Sequence, residues 1–112
     1  MRQDGKIDYV EMPGRDLDQI KRFYGDAFGW SFTDYGPDYT AFTEGLDGGF
    51  WPDAPKEAKP LVILYATDLE AMEAKVRAAG GEIVKPIFSF PGGRRFQFTD
   101  PAGNELAVWS ET

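Results

Sequence analysis

Apolar side chains along the chain change their spacing, and each change predicts a new element. In residues 6–13, "KIDYVEMP", Val10 and Met12 alternate with polar neighbours, as in a β-strand with one buried face. Residues 15–30, "RDLDQIKRFYGDAFGW", have helical spacing, with Asp16 and Gln19 placed as an N-terminal capping box and Gly29 at the end. A strand and an amphipathic helix are therefore predicted. The apolar stripe of that helix is expected in the core and comprises Leu17, Ile20, Phe23, Tyr24 and Ala27.

Three short β-rich runs follow the helix: "WSFTDY", "YTAFTE" and "GGFW". They are separated by "GPD" and "GLDG", which contain typical turn residues. Residues 52–59 are rich in Pro, Lys and Ala, which is typical of a linker. The first half of the chain therefore has the predicted order βαβββ.

The second half repeats this order. Residues 60–67, "PLVILYAT", form an apolar run expected of a strand covered on both faces, and Thr67 with Glu70 has the spacing of a capping box. A helical stripe and the stop "AAGG" come next, followed by the strand-like runs "EIVKPIF", "RRFQFTD" and "NELAVW". The stripe of this second helix comprises Leu69, Met72, Val76 and Ala79.

The two halves correspond in order and spacing, as expected for an internal repeat. Asp16-Leu17 matches Asp68-Leu69 at an offset of 52, and Trp51 matches Trp109 at an offset of 58. The prediction is an α+β fold of two tandem βαβββ modules, residues 6–51 and 60–110, joined by the linker 52–59 within a single domain, residues 1–112.

Composition excludes several functions. The chain has 112 residues with neither cysteine nor histidine, so thiol chemistry, imidazole bases and imidazole metal ligands are excluded. A net charge of −7 without a basic stripe argues against nucleic acid as a partner. No apolar run is long enough to span a membrane, and the start "MRQDGKIDY" does not resemble a signal peptide. A cytoplasmic protein without a membrane partner is expected.

Three segments carry a resemblance to a known family: "YVEMPGRDLDQIKRFYGDAFGW", "YATDLEAMEAKVRAAGGEIVKP" and "FTDPAGNELAVW". Together with the repeat, they resemble the vicinal oxygen chelate superfamily, which includes glyoxalase I, bleomycin-resistance proteins and extradiol dioxygenases. The resemblance implies that each module curls its sheet and that two modules form a cup around a metal, with ligands on the first and last strand of each module.

The resemblance also implies where those ligands would be, and this chain departs from the pattern. Counting from the helix-starting aspartates and the Asp-Pro turn places the four positions at Tyr9, Gly49, Leu61 and Ala107. None of these is a usual ligand of a divalent metal. No metal and no cofactor are therefore expected.

Side-chain alternation predicts what the cup presents instead. If Tyr9 faces inward, Ile7 and Glu11 do so too, and Leu61, Ile63 and Tyr65 follow by the same parity. The aromatic residues are otherwise explained by ordinary sheet packing. Glu105 shares the face of Ala107 and either lines the mouth of the cup or is solvated. The predicted ligand-binding residues are Tyr9, Glu11, Trp51, Tyr65, Glu105 and Trp109.

Two functions of different classes fit these residues. The first is a metal-independent binding protein, similar to bleomycin-resistance proteins, that holds a small cationic or aromatic molecule. The second is a metal-free isomerase or lyase for a small carbonyl compound, with Glu11 as general base and Tyr9 as acid. The sequence identifies neither the ligand nor a catalytic residue.

Two further features leave alternatives open. The loop "FPGGRR", residues 90–95, is either an anion cradle or a flexible loop at the rim, and at most one of Arg94 and Arg95 is expected to face inward. The resemblance implies a homodimer, with each cup built either from one chain or from two.

Overall fold

The computed structural model describes residues 2–55 and 57–112. Met1, at the start of the predicted domain, and Lys56, within the predicted linker, lie outside the described residues. The chain forms two compact units. The N-terminal unit is Tyr9–Pro60, and the C-terminal unit combines Leu61–Thr112 with the residues up to Asp8. The predicted module bounds, 6–51 and 60–110, stay a prediction.

In the N-terminal unit the element order is strand, helix and three strands. These are β1 (Ile7–Pro13), α1 (Leu17–Phe28), β2 (Thr33–Asp34), β3 (Thr40–Glu44) and β4 (Leu46–Trp51). The strand order in space is β2-β3-β4-β1. β4 runs parallel to β1 and antiparallel to β3. Because β1 and β4 are parallel neighbours, their carboxyl ends lie at the same edge of the sheet.

The C-terminal unit repeats this arrangement. Its elements are β5 (Leu61–Tyr65), α2 (Leu69–Ala78), β6 (Glu82–Phe90), β7 (Gly93–Thr99) and β8 (Glu105–Ser110). The strand order is β5-β8-β7-β6, with β5 parallel to β8 and β7 antiparallel to both of its neighbours. The predicted α+β class and the repeated βαβββ order are confirmed.

Both helices begin at an aspartate. The carboxylates of Asp16 and Asp68 accept hydrogen bonds from the backbone N–H groups of Gln19 and Ala71, at 3.1 and 3.0 Å. The cap at Asp16 and the end of α1 at Gly29, where φ is 74°, agree with the prediction. Within the described residues, no helix is both long and apolar enough to cross a membrane.

The predicted capping box of Thr67 and Glu70 is wrong. The N-cap is Asp68, one residue later, and the Thr67 hydroxyl donates instead to Asp4 at 2.8 Å. Glu70 accepts from both terminal nitrogens of Arg94. A carboxylate is a better acceptor for the first helical N–H groups than a hydroxyl, which explains why the adjacent aspartate takes the position.

The core of the N-terminal unit is aromatic. Phe42 and Phe50 are buried, and Phe50 packs against Tyr24 of α1 with ring centroids 5.3 Å apart. Trp30 stacks on Tyr24 at 4.7 Å. Two residues of the predicted stripe are exposed: Phe23, 56% exposed, and Ala27. The prediction was wrong for them because the helix face that packs against the sheet is narrower than the predicted stripe and contains Tyr24.

The core of the C-terminal unit forms between α2 and its sheet. It contains Ala66, Leu69, Phe96, Phe98 and Val108, with Met72 and Val76 packed against it. Ala79, predicted in the helical stripe, is the exposed C-cap of α2.

Three predicted loop and strand bounds are corrected. Only Thr33–Asp34 of "WSFTDY" is a strand. Within "GLDG" the turn is confined to Gly45, where φ is 97°, and β4 already begins at Leu46. The predicted flexible loop at residues 90–95 is a tight hairpin, because Phe90 pairs with Gly93 and Gly92 has a φ of 112° that glycine accommodates.

The aspartate caps allow a stability test. Asp68→Ala should lower the free energy of unfolding by about 1 kcal/mol, because the first turn of α2 loses its side-chain acceptor. The matched control Asp26→Ala, at an exposed position near the end of α1, should cost nothing. Urea denaturation measures both, and equal losses for the two variants would contradict the assignment of Asp68 as the cap.

Candidate functional site

One face of the N-terminal sheet carries the residues that the sequence singled out. Strand register aligns Glu11 of β1 with Gly49 of β4, and Gly49 with Ala41 of β3. Tyr9 precedes Glu11 by two residues and shares its face. The opposite face carries Phe50, which packs against α1. Tyr9, Glu11 and Gly49 therefore lie together on the side of the sheet away from the helix.

Tyr39 covers this face, and sequence reasoning did not identify it. A Cβ atom at position 49 would overlap the phenol ring of Tyr39. The Tyr39 hydroxyl lies 2.6 Å from the Tyr9 hydroxyl and 3.4 Å from Glu11 Oε2. We call Tyr9, Tyr39 and Glu11 the phenol-carboxylate network. The sequence contained one signal for this contact: Gly49, at a position implied for a metal ligand, leaves a space on the sheet that a neighbouring side chain can fill.

The phenol-carboxylate network has two contacts and two hydroxyl protons. Across the 3.4 Å contact the Glu11 carboxylate can only accept, so Tyr39 is the donor there. Across the shorter contact of 2.6 Å, either of the hydroxyl groups of Tyr9 and Tyr39 can donate to the other. The carboxylate of Glu11 is therefore the group of the network that can only accept hydrogen bonds.

Both phenols of the network keep their protons well into the alkaline range. Burial raises the pKa of Tyr9, and the negative charges of Glu11 and Asp47 add to this effect. Burial also raises the pKa of Tyr39, followed by its hydrogen bond to Tyr9. At neutral pH both side chains are uncharged, and the network carries the negative charge of Glu11.

The positions implied for a family metal do not fit a divalent cation. Tyr9 would have to ionise to coordinate one, and its raised pKa opposes that. Gly49 has no side chain, Leu61 is apolar, and Ala107 is fully buried. Within residues 2–55 and 57–112, no three His, Cys, Asp or Glu side chains are grouped so that they could hold a metal ion.

In the C-terminal unit, Tyr65 and Trp109 lie side by side. They are register partners on β5 and β8, and their rings meet edge to face at 5.5 Å. The Tyr65 hydroxyl donates to Glu111 at 2.9 Å, and the Trp109 indole N–H donates to Asp8 at 2.9 Å. Sequence reasoning missed Asp8, because this bond joins residues 101 positions apart.

A second polar pair lies on the same face of the C-terminal sheet. Gln97, 6% exposed, is the register partner of Ala107 on β7 and β8. Its amide donates to Glu105 Oε2 at 2.6 Å. Glu105 is itself exposed, so it is solvated and also held by Gln97. Trp51, the remaining candidate, is half-buried at the end of β4 beside Pro13.

The two arginines of the predicted loop face different partners. Arg94 donates to Glu70 of α2 at 2.6 Å, while the Arg95 guanidinium lies over the rings of Phe88 and Phe90 at 5.4 and 5.6 Å. At most one of them was expected on the inner face, and Arg95 is the one on the face opposite the helix.

A shallow depression of about 140 Å³ lies elsewhere, at the β2-β3 edge of the N-terminal unit. Glu44 lines it, but its carboxylate already accepts a hydrogen bond from the Ser31 backbone at 2.9 Å. None of the predicted ligand-binding residues lines this depression.

Comparisons with known proteins agree with this fold. The family model of the Glyoxalase/Bleomycin resistance protein/Dioxygenase superfamily matches residues 6–108. The chain belongs to that superfamily, as the repeated βαβββ order and the segment resemblance indicated.

The chain is also similar to individual members. It is 29% identical to "Putative glyoxylase CFP32" of Mycobacterium bovis over 96% of this chain and 46% of that protein. The chain thus spans about half the length of this curated relative. Its fold resembles the Mn(II)-bound glyoxalase of Novosphingobium aromaticivorans, at 24% identity and a TM-score of 0.69, over 99% of this chain and 40% of that one. It also resembles methylmalonyl-CoA epimerase of Mycobacterium tuberculosis, at 15% identity and a TM-score of 0.72, over 99% of this chain and 91% of that one.

The close approach of Tyr39 to Gly49 predicts a steric conflict. Gly49→Ala should lower the free energy of unfolding by about 1–3 kcal/mol, because the new methyl group overlaps the phenol ring. The same change in a Tyr39→Ala background should cost much less, which a double-mutant cycle measured by urea denaturation detects. Gly25→Ala is the control, since a Cβ there makes only an ordinary contact. Additive effects of Gly49→Ala and Tyr39→Ala would contradict a direct contact between residue 49 and the Tyr39 ring.

The raised phenol pKa values predict a pH dependence. A folded-state pKa above the unfolded value of about 10 stabilises the fold below pH 10, and this contribution is lost as the pH rises through the folded value. Spectrophotometric titration of phenolate absorbance should show late ionisation in the folded chain. Tyr9→Phe and Tyr39→Phe should each remove one late-ionising group. A titration identical to that of the denatured chain would contradict the burial of these hydroxyls.

Proposed function

We propose that this chain binds a small, positively charged organic molecule, without a divalent metal, at the phenol-carboxylate network. The observation that supports this most is the Glu11 carboxylate, which can only accept hydrogen bonds and lies 3.4 Å from the Tyr39 hydroxyl. A ligand with N–H donors and a positive charge complements such a surface.

Electrostatics supports the same class of ligand. The charge of Glu11 is accompanied by that of Asp47, which acts on Tyr9, and the whole chain has a net charge of −7. An anionic ligand would be repelled, and a neutral one would lack the attraction between opposite charges. Trp51, in the same unit, is proposed to contact the ligand as well, and ligand binding by Tyr65, Glu105 and Trp109 of the C-terminal unit stays a prediction.

Metal independence is part of the proposal and is supported by the residues at the family positions. A raised phenol pKa at Tyr9 and the ring of Tyr39 over Gly49 leave no ligand group for a metal there. The name of CFP32 describes a glyoxylase, but this chain spans less than half of that protein. We therefore do not propose a glyoxalase reaction for this chain.

The alternative is a metal-free isomerase or lyase acting on a small carbonyl compound. One observation favours it: Tyr9 and Tyr39 stay protonated next to the carboxylate of Glu11. In this case Glu11 would remove a proton from the carbon next to the carbonyl, and a phenol would donate to the carbonyl oxygen.

The proposal further includes a cytoplasmic homodimer whose chains each form a single domain.

Ligand binding can be tested with a matched pair of probes. Benzylammonium should raise the melting temperature, and benzyl alcohol, which is neutral and of similar size, should not, because the network attracts positive charge. Glu11→Gln should weaken benzylammonium binding by about ten- to a hundredfold, as expected when a charged hydrogen-bond partner is lost. Isothermal titration calorimetry measures the change.

The control for this experiment is Glu82→Gln, which removes the same charge at an exposed position on β6 and should leave affinity unchanged. Equal binding of the amine and the alcohol, or equal effects of the two glutamate variants, would contradict the proposal. If the wild type instead catalyses deuterium exchange next to a carbonyl group and Glu11→Gln abolishes it, the isomerase or lyase function replaces the binding function.

A further inference from the structure

Arg2 lies against an aromatic and acidic cluster in the C-terminal unit. Its guanidinium carbon is 5.0 Å from the centroid of the Trp109 ring. Its Nε is 3.3 Å from Asp8 Oδ2, and its Nη1 is 3.9 Å from Glu111 Oε2. A ring face and two carboxylates therefore surround one planar cation.

We infer that Trp109, Asp8 and Glu111 form a binding site for a small guanidinium or methylated ammonium ligand, and that Arg2 occupies this site as an intramolecular competitor. The inference rests on the proposed function for the charge of the ligand. It adds a second group of residues and a form of regulation, in which the chain's own cation limits ligand affinity.

The ligand-binding groups are held in place without Arg2. The Trp109 indole N–H donates to the same Asp8 oxygen that Arg2 contacts, at 2.9 Å. The other carboxylate, Glu111, accepts from the Tyr65 hydroxyl at 2.9 Å through its second oxygen. Tyr65 also packs edge to face on Trp109. Because each carboxylate is bonded to an aromatic residue of the sheet, the site persists when Arg2 leaves.

Arg2 itself is loosely held. Its contact with Asp8 is long for a hydrogen bond, its contact with Glu111 is longer still, and its side chain is 43% exposed. Ion pairs of this exposure are individually weak. A free cation that makes shorter contacts with the same carboxylates can therefore displace it.

Displacement of Arg2 does not require the backbone to unpair. The segment before β1 is attached at Asp4, which accepts from both the N–H and the hydroxyl of Thr67, at 2.9 and 2.8 Å. Gly5 N–H donates to the Tyr65 carbonyl at 2.8 Å. Arg2 precedes both attachments, and Lys6 N–H donates to the Gln3 carbonyl at 3.3 Å, so the Arg2 side chain can move while residues 3–6 stay in place.

The chemistry of the cluster selects planar or methylated cations. The face of an indole attracts a delocalised or alkylated cation, which loses less hydration than a simple ammonium ion. Two carboxylates at the edge of the ring add acceptors for guanidinium N–H groups. A neutral urea of the same shape has N–H groups but no charge, and therefore serves as the matched comparison.

The test uses the whole chain and the indole N–H resonance of Trp109 in ¹⁵N-¹H NMR spectra. Methylguanidinium is titrated at constant ionic strength, with methylurea as the neutral control. Arg2→Ala should bind methylguanidinium about tenfold more tightly than the wild type, because the tethered competitor is gone. Arg2→Lys should give an intermediate affinity, since the positive charge remains. Arg15→Ala, at an exposed arginine of the N-terminal unit, should leave the wild-type affinity unchanged.

Several outcomes would overturn the inference. One is equal affinity of the wild type and Arg2→Ala. Another is a Trp109 resonance that moves equally with methylurea, or does not move in Arg2→Ala although circular dichroism shows a folded chain. These results are distinguishable from failure of the proposed function, which is measured by benzylammonium affinity and the Glu11→Gln variant rather than by the Trp109 signal.

Discussion

Tyr39 lies over the N-terminal sheet only because residue 49 has no side chain. Any larger residue at Gly49 would displace the phenol ring, and the contacts from Tyr39 to Tyr9 and Glu11 would be lost with it. The pairing of Glu11 with Gly49 across β1 and β4 places the carboxylate beside the space that the ring fills. Gly49, paired with Glu11 across β1 and β4, therefore determines which polar groups meet at the candidate site.

The two units share a topology and use their inner faces differently. In the N-terminal unit, Tyr9 is at one position that the resemblance implies for a metal ligand, and the Tyr39 ring fills the space at the other, Gly49. Burial raises the pKa of both hydroxyl groups. In the C-terminal unit, the corresponding region has the buried Ala107 between Ile63 of β5 and Gln97 of β7. A duplicated fold can thus keep its hydrogen-bonded framework while the chemistry of its inner positions changes.

Local signals in the sequence were sufficient for the fold. The cap at Asp16 and the alternation that groups Tyr9 with Glu11 both act within a few residues. The error at Thr67 was also local, because the adjacent Asp68 is the better acceptor. The other failures arise from tertiary contacts. Tyr39 meets residues 28 and 30 positions away, and Arg2 meets Trp109 near the other end of the chain. Phe23 fits the helical period, but Tyr24 and Trp30 occupy the space against the sheet.

We propose that hydroxyl groups and a carboxylate take the place of a metal centre in this member of the superfamily. Elemental analysis of the chain, purified without a chelator and then equilibrated with Mn²⁺ and Zn²⁺ before desalting, tests it most directly. Far less than one metal ion per chain is expected, because burial raises the pKa of Tyr9 and Gly49 offers no ligand group. One tightly bound ion per chain, lost in a Tyr9→Phe or Glu11→Gln variant, would contradict the account.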